Sequence, residues 1–159
     1  MTDASPDDIE RQLSERFASR RSPFLDLLGV TFVFEDGQPV TRCTVSNDLL
    51  RGFNIAHGGV LCTLLDTSLG AVAYAAAMPR LANESKRTGE RRELVTLQLE
   101  THFIRPAWNG ERLAGRGEVV HLGRTTIVVR GDVRTAAGEV VVSGAATFMP
   151  TTIAKTANG

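Results

Sequence analysis

The most distinctive chemistry in the chain comes from four residues in one apolar stretch. His57, Gly58 and Gly59 stand together, and Asp66 follows nine residues after the histidine. If the stretch is a helix, His-Gly-Gly lies at its start, where backbone N–H groups have no partner inside the helix and the helix dipole adds partial positive charge. Glycine leaves that end open to close approach. A carbonyl set against these amides would be polarised, and the oxyanion that develops in acyl transfer would be stabilised, commonly by about 3 kcal/mol per donor. Taken without the aspartate, the two glycines read better as a device that lets the helix entry pack closely against a sheet.

Asp66 argues for chemistry. Its near neighbours are Leu64, Leu65, Leu69 and Val72. A charged, unpaired carboxylate among such side chains costs several kcal/mol to desolvate, so a fold that keeps it supplies donors or a use. Burial would raise its pKa, and N–H donors or a cation would lower it. Nine residues of helix amount to about 13.5 Å of rise and about 900° of rotation, which puts the His57 and Asp66 side chains on opposite faces. They cannot share one small site within a chain. If both act on one carbonyl, two chains must set their helices antiparallel across a two-fold axis, so that activity requires a dimer.

The elements that must position these residues can be read from spacing. Ser5-Pro6-Asp7-Asp8 is a helix start, and Ile9, Leu13 and Phe17 recur on one face, giving a short amphipathic helix of about 14 residues that ends near Arg20 and Arg21. Gly29 to Glu35, the turn 36–39 and Val40 to Ser46 read as strand, turn and strand. From His57 to Met78 the chain is apolar on every side, which predicts a helix buried all round. Its length could span a bilayer, but a central aspartate is costly in lipid and a curved sheet is the expected coat. Pro79 to Arg92 reads as a charged loop. Val95, Leu97, Leu99 and Phe103 alternate with polar residues, giving a half-buried strand over 94–104 before Pro106. Further strands are expected at Arg112 to His121, Thr125 to Arg134 and Val140 to Met149, with short turns that argue for antiparallel hairpins. Thr151 to Gly159 reads as a frayed tail.

Composition bounds the rest. The chain has 159 residues, 42% hydrophobic, and eighteen acids balance eighteen bases. It is expected to be one globular domain with no overall field to draw nucleic acid or an anionic membrane. Cys43 and Cys62 are too few for a disulfide framework, and the acidic start lacks the pattern of a secretory signal, so a cytoplasmic location is expected. No G-x-S-x-G elbow and no metal-ligand spacing occur. His102 and His121 lie in predicted strands and read as polar-face residues.

The segment HGGVLCTLLDTSLGAVAYAA closely resembles the signature of the phenylacetate-degradation (PaaI) type of hotdog acyl-CoA thioesterases, within the 4-hydroxybenzoyl-CoA thioesterase superfamily. LETHFIRPA is similar to the family's third strand and its exit. LGRTTIVVRGDV and GEVVVSGAATFMP look like its last hairpin, so the resemblance covers roughly residues 28 to 149. It implies an α+β hotdog fold, a six-stranded antiparallel sheet wrapped around one long central helix, with a short N-terminal helix. The single domain would fill 1–159, with that helix in 1–22 and a flexible tail at 151–159.

The resemblance also implies an activity, the hydrolysis of a CoA thioester with an aryl or medium-chain acyl group to free acid and CoA. Asp66 would be the nucleophile or the general base, and His57, Gly58 and Gly59 would hold the carbonyl. No cofactor or metal is implied. A homodimer is, and the family pattern suggests paired dimers. One departure stands out: six residues before the histidine, where the family carries Asn, this chain has Arg51, and its nearest Asn is Asn54. Either takes the supporting role. Arg124, in a Gly-Arg turn, and Arg105 are candidates for the CoA phosphates, as is the run through Lys86, Arg87, Arg91 and Arg92. Two rival functions share this fold: a non-catalytic acyl-CoA binding or sensing module, and a dehydratase or hydratase with His57 as base, which the His-Gly-Gly setting disfavours.

Overall fold

The computed structural model describes residues 6–19 and 22–153. Helix α1, Pro6–Ser19, is followed by a short second helix, α2, Pro23–Leu28. The expected cap Ser5 and the expected ends Arg20 and Arg21 lie outside the described residues. No local pattern announces this second helix, yet Pro23 starts it and Gly29, in the left-handed region at φ 67°, closes it.

Strands β1, Thr31–Glu35, and β2, Gln38–Thr44, form a hairpin. The turn is shorter than expected. Asp36 and Gly37 make it alone, both at positive φ as a tight two-residue hairpin requires, so Gln38 and Pro39 belong to β2. A 3-10 turn at Asn47–Leu49 leads into a small hairpin of β3, Leu50–Gly52, and β4, Ile55–Ala56.

The central helix α3 runs Gly58–Thr88, ten residues beyond the expected end at Met78. The stretch from Pro79 is therefore helix and not a charged loop. Proline removes one N–H and tends to break a helix, but packing wins here. Pro79 is exposed, whereas Met78 and Leu81 on either side are buried, and Arg80 Nη1 ties the segment to the carbonyl of Gly123 at 2.6 Å. Lys86 and Arg87 occupy the last turn, where cations suit the dipole, and Gly89 caps it at φ 72°.

Four long strands complete the sheet: β5, Arg91–Phe103; β6, Arg112–Leu122; β7, Ile127–Thr135; β8, Val140–Ile153. The order β1-β2-β6-β7-β8-β5 is antiparallel throughout and leaves β1 and β5 as edges. Thr151 to Ile153, expected in a frayed tail, pair with Arg91 to Glu93 as the end of β8, and 154–159 lie outside the described residues.

The sheet curves around α3, which packs on β2, β5, β6, β7 and β8. This is the α+β hotdog arrangement. Although α3 is long and apolar enough to cross a membrane by length and composition, Leu64, Leu65, Leu69 and Ala73 are fully buried against Ile127, Val129, Val133 and Val142. Gly117, Gly131 and Gly144 stand side by side across β6, β7 and β8. A Cβ on Gly131 would run into the carbonyl oxygen of Arg116, and one on Gly144 into that of Glu100, with Leu69 and Leu65 close above. That row lets the sheet bend and the helix lie against it.

The expected apolar face of β5 is only partly covered: Leu99 packs against the core, and polar Thr96, Gln98 and Glu100 are exposed as expected. Val95, Leu97 and Phe103 of β5 are exposed in the single chain, while Glu93 on the same strand is buried. A bulge between Thr96 and Gln98 shifts the strand's register against β8 and re-aims the side chains around it.

Candidate active site

Helix α3 starts where the sequence places it. His57 is the residue before the first turn, extended at φ −65° and ψ 138°, and its Nδ1 accepts the N–H of Gly59 at 2.9 Å. The histidine thus caps the helix, and the Gly59 amide expected to receive a carbonyl is already bonded. The neighbouring Gly58 N–H has no acceptor among the described residues. With Nδ1 accepting, the neutral ring carries its proton on Nε2, so the tip offers one backbone and one side-chain donor. A Cβ on Gly58 would only touch the Phe103 ring at 3.4 Å.

The β3–β4 hairpin carries this tip. His57 N–H donates to the Leu49 carbonyl at 2.8 Å, and Ala56 N–H to the Ala107 carbonyl at 2.8 Å. Phe53 and Asn54 form its turn at φ 54° and 60°, a left-handed pair rare for such residues. The Asn54 carbonyl accepts from Asn109 N–H at 3.0 Å, and its side chain and that of Arg51 are exposed. Both supporting candidates therefore sit on the one hairpin that leads into the tip.

Asp66 lies two and a half turns along α3, on the wall of a cavity of about 480 Å³. It is half-buried and not the fully enclosed acid the apolar run suggests. Its Oδ1 accepts a hydrogen bond from Thr96 Oγ1 at 3.0 Å. Burial pushes its carboxyl above the ordinary aspartate value, and the Thr96 bond pulls the other way. Thr96 is a residue that reading the sequence did not single out, because its role depends on how β5 is registered beside α3. Glu93, Tyr74 and Phe17 also line this cavity. Glu93 accepts from Arg91 Nε at 2.9 Å.

The structure thus puts Arg51 and Asn54 on the hairpin that leads into His57, Gly58 and Gly59, with both side chains exposed, and it holds Asp66 apart from that tip along the helix. Arg105 is engaged within the fold. It donates to Glu111 at 2.8 and 3.1 Å, to Glu139 at 3.0 Å and to the Pro106 carbonyl at 2.6 Å, and its guanidinium holds the Glu111 carboxyl below the usual range. Arg124 shares a cleft of about 380 Å³ with Arg87 and Arg92. That cleft adjoins the far end of α3, where Arg87 stands about 31 Å of helix rise beyond Asp66. His102 faces Glu100 at 3.0 Å.

A helix tip with a free amide, a carboxylate on the same helix and a sheet wrapped around both define a class as well as a fold. The sequence model of the thioesterase superfamily matches residues 53–142, from the β3–β4 turn into β8. The chain belongs to that superfamily. Over 100 residues it is 31% identical to acyl-coenzyme A thioesterase PaaI of Escherichia coli strain K12, a stretch that covers 62% of this chain and 61% of that relative. Among solved structures, S. sahachiroi AziG is 28% identical with a TM-score of 0.69, covering 84% of this chain and 100% of that one. The E. coli PaaI protein of the phenylacetic acid degradation operon shares the fold at a TM-score of 0.72 and 23% identity, over 92% of this chain and 96% of that one.

Proposed function

We propose that the protein hydrolyses an acyl-CoA thioester, with an aryl or medium-chain acyl group, to the free acid and CoA. The observation that carries this reading is Asp66, a carboxylate of the central helix on the wall of a cavity shared with Phe17, Phe32 and Phe148, held by Thr96 and raised in pKa by burial. In the proposed mechanism the thioester carbonyl rests against the Gly58 N–H and His57 Nε2 of one subunit. Asp66 of the other subunit either takes a proton from the water that attacks the carbonyl carbon and passes it to the departing CoA sulfur, or attacks the carbon itself to expel the CoA thiolate, which takes a proton from water. The second route leaves an acyl-Asp66 anhydride that a second water hydrolyses to the free acid. The developing oxyanion is stabilised at the helix tip, and CoA leaves as the thiol. Gly59 shapes the tip by bonding His57 Nδ1, and Asn54 and Arg51 support it from the hairpin.

The opposed faces of His57 and Asp66 call for two chains in each site, and an exposed edge strand supports that pairing. Strand β5 ends the sheet and presents Val95, Leu97 and Phe103 to the outside, an apolar edge that monomers usually protect. The homodimer is accordingly part of the proposal, with pairing of dimers as its extension.

The test is a thiol-release assay over a panel of aryl- and alkyl-CoA esters, run on the wild type and on Asp66→Asn. The reading expects turnover of at least one ester and a loss of about a hundredfold or more in the variant. Full turnover by Asp66→Asn would overturn the assignment of Asp66. Tight binding of esters with no wild-type hydrolysis of any would favour the acyl-CoA sensing module.

A further inference from the structure

Two cavities meet at one aromatic wall. The first runs along α3, where Asp66, Gly70 and Tyr74 recur at four-residue steps, a face about 12 Å long. The second, of about 420 Å³, lies among α1, α2 and β1 and is bounded by Asp26, Val30 and Phe34. Phe17, Ser22, Leu25 and Phe32 line both. These four residues are therefore the partition between them. Within it the Phe17 ring stacks on Phe32, with centroids 4.6 Å apart and planes at 13°, and meets Tyr74 edge-on at 6.4 Å.

Phe17 is not simply the residue that fastens α1 to the fold. Leu13, one turn earlier on the same face, is buried to 2% exposure, whereas Phe17 is only half-buried because cavity lies on both sides of it. An acyl group whose carbonyl sits at Asp66 would lie along Gly70 and Ala71 and end against Phe17 and Tyr74. A longer group finds space past the Phe17 ring, in the second cavity; the cleft beyond Tyr74, along Met78 and Leu81, lies on the other side of the tyrosine.

We infer that Phe17 is a specificity-determining residue, setting the length of acyl group that the Asp66 cavity accepts by closing it off from the cavity behind. The inference rests on the thioesterase reading and assigns to the N-terminal helix a part in choosing the substrate. Medium-length chains and single-ring aryl groups fit in front of the ring, and long chains do not. Replacing Phe17 with a small side chain joins the two cavities into one channel.

The experiment compares full-length wild type, Phe17→Ala and Phe17→Leu. Affinities are measured by titration calorimetry for non-hydrolysable S-alkyl-CoA thioethers from butyl to hexadecyl, alongside thiol release from the matching acyl-CoA esters. In the wild type, affinity is expected to rise about fourfold for each added methylene that is buried, and to stop rising at a medium length. In Phe17→Ala the rise continues past that length, so the preference for dodecyl over octyl grows about tenfold or more. Phe17→Leu falls between. An unchanged break point in Phe17→Ala, with cooperative thermal unfolding retained, would overturn the inference. If the alanine variant does not fold, the leucine variant decides by the same criterion. The wider reading fails on a different result, the absence of thiol release from every ester by the wild type, and the thioether break point still judges Phe17 in that case.

Discussion

Thr96 Oγ1 donates to Asp66 Oδ1 at 3.0 Å, which fastens the carboxylate of the central helix to the edge strand β5. The two residues are thirty positions apart, and a bulge directly after Thr96 sets where its hydroxyl falls. The bond fixes the direction of one Asp66 oxygen and, in the proposed mechanism, leaves the other to act on the thioester or on water. It also stabilises the ionised form that either a nucleophile or a base must have.

Removing that donor should move the pH profile. In Thr96→Ala the one hydrogen bond that lowers the Asp66 pKa is lost while burial still raises it. The acid limb of kcat/KM should therefore shift to higher pH, with activity lost mainly on the acid side, and Thr96→Ser should restore the wild-type limb. A limb that stays in place in the alanine variant would show that Asp66 ionisation does not control turnover.

Asp66 should also cost stability at neutral pH. Its folded-state pKa lies above its unfolded value, so the folded protein binds the extra proton between the two. The group's favourable contribution is complete below the unfolded value and is lost as pH rises through the folded one. Asp66→Asn should then melt at a higher temperature than wild type at neutral pH, with the gap closing on acidification. A pH-independent difference in melting temperature would contradict this linkage.

Pro79 is exposed inside α3 and brings no backbone N–H to the helix. Pro79→Ala restores one backbone donor, so the protein should gain about 1 to 3 kcal/mol in denaturant unfolding. The thiol release expected under the proposed function should not change. Loss of stability would mean that the helix bends at this position for a reason its neighbours do not reveal.

Gly144 has no room for a side chain, because a Cβ there meets the Glu100 backbone carbonyl and the Leu65 side chain. Gly144→Ala should cost about 3 kcal/mol or more, or prevent folding. Gly138→Ala is the control for a turn, since nothing lies within 4 Å of its Cβ site and only its φ of 84° is strained. If the two variants unfold alike, the close approach of helix and sheet carries no special weight.

Much of this was legible in the chain itself. The central helix, its start at His57 and the position of Asp66 along it depend on local spacing, and hairpin strands announce themselves by alternation and turns. What depends on register over long distances was hidden. Thr96 is one polar residue among several on an alternating strand until β5 is laid beside α3. Phe17 looks like any stripe residue of an amphipathic helix until β1 places Phe32 against it. Pro79 misled because a local breaking signal was outweighed by the burial of Met78 and Leu81 around it. Arg105 has the charge to bind phosphate, and only the fold reveals Glu111 and Glu139 beside it.

Mixing two disabled subunits tests the composite site most directly. Gly58→Val blocks the helix tip at a place where the added side chain meets only the Phe103 ring, and Asp66→Asn removes the carboxylate. Each variant alone should be inactive. Unfolded and refolded together, they form mixed pairs in which one site combines the intact tip of one subunit with the intact Asp66 of the other. Turnover should then return to about a quarter of the wild-type level if pairing is random and each site acts alone. A mixture that refolds into dimers yet stays as inactive as its components would contradict a site built from two chains.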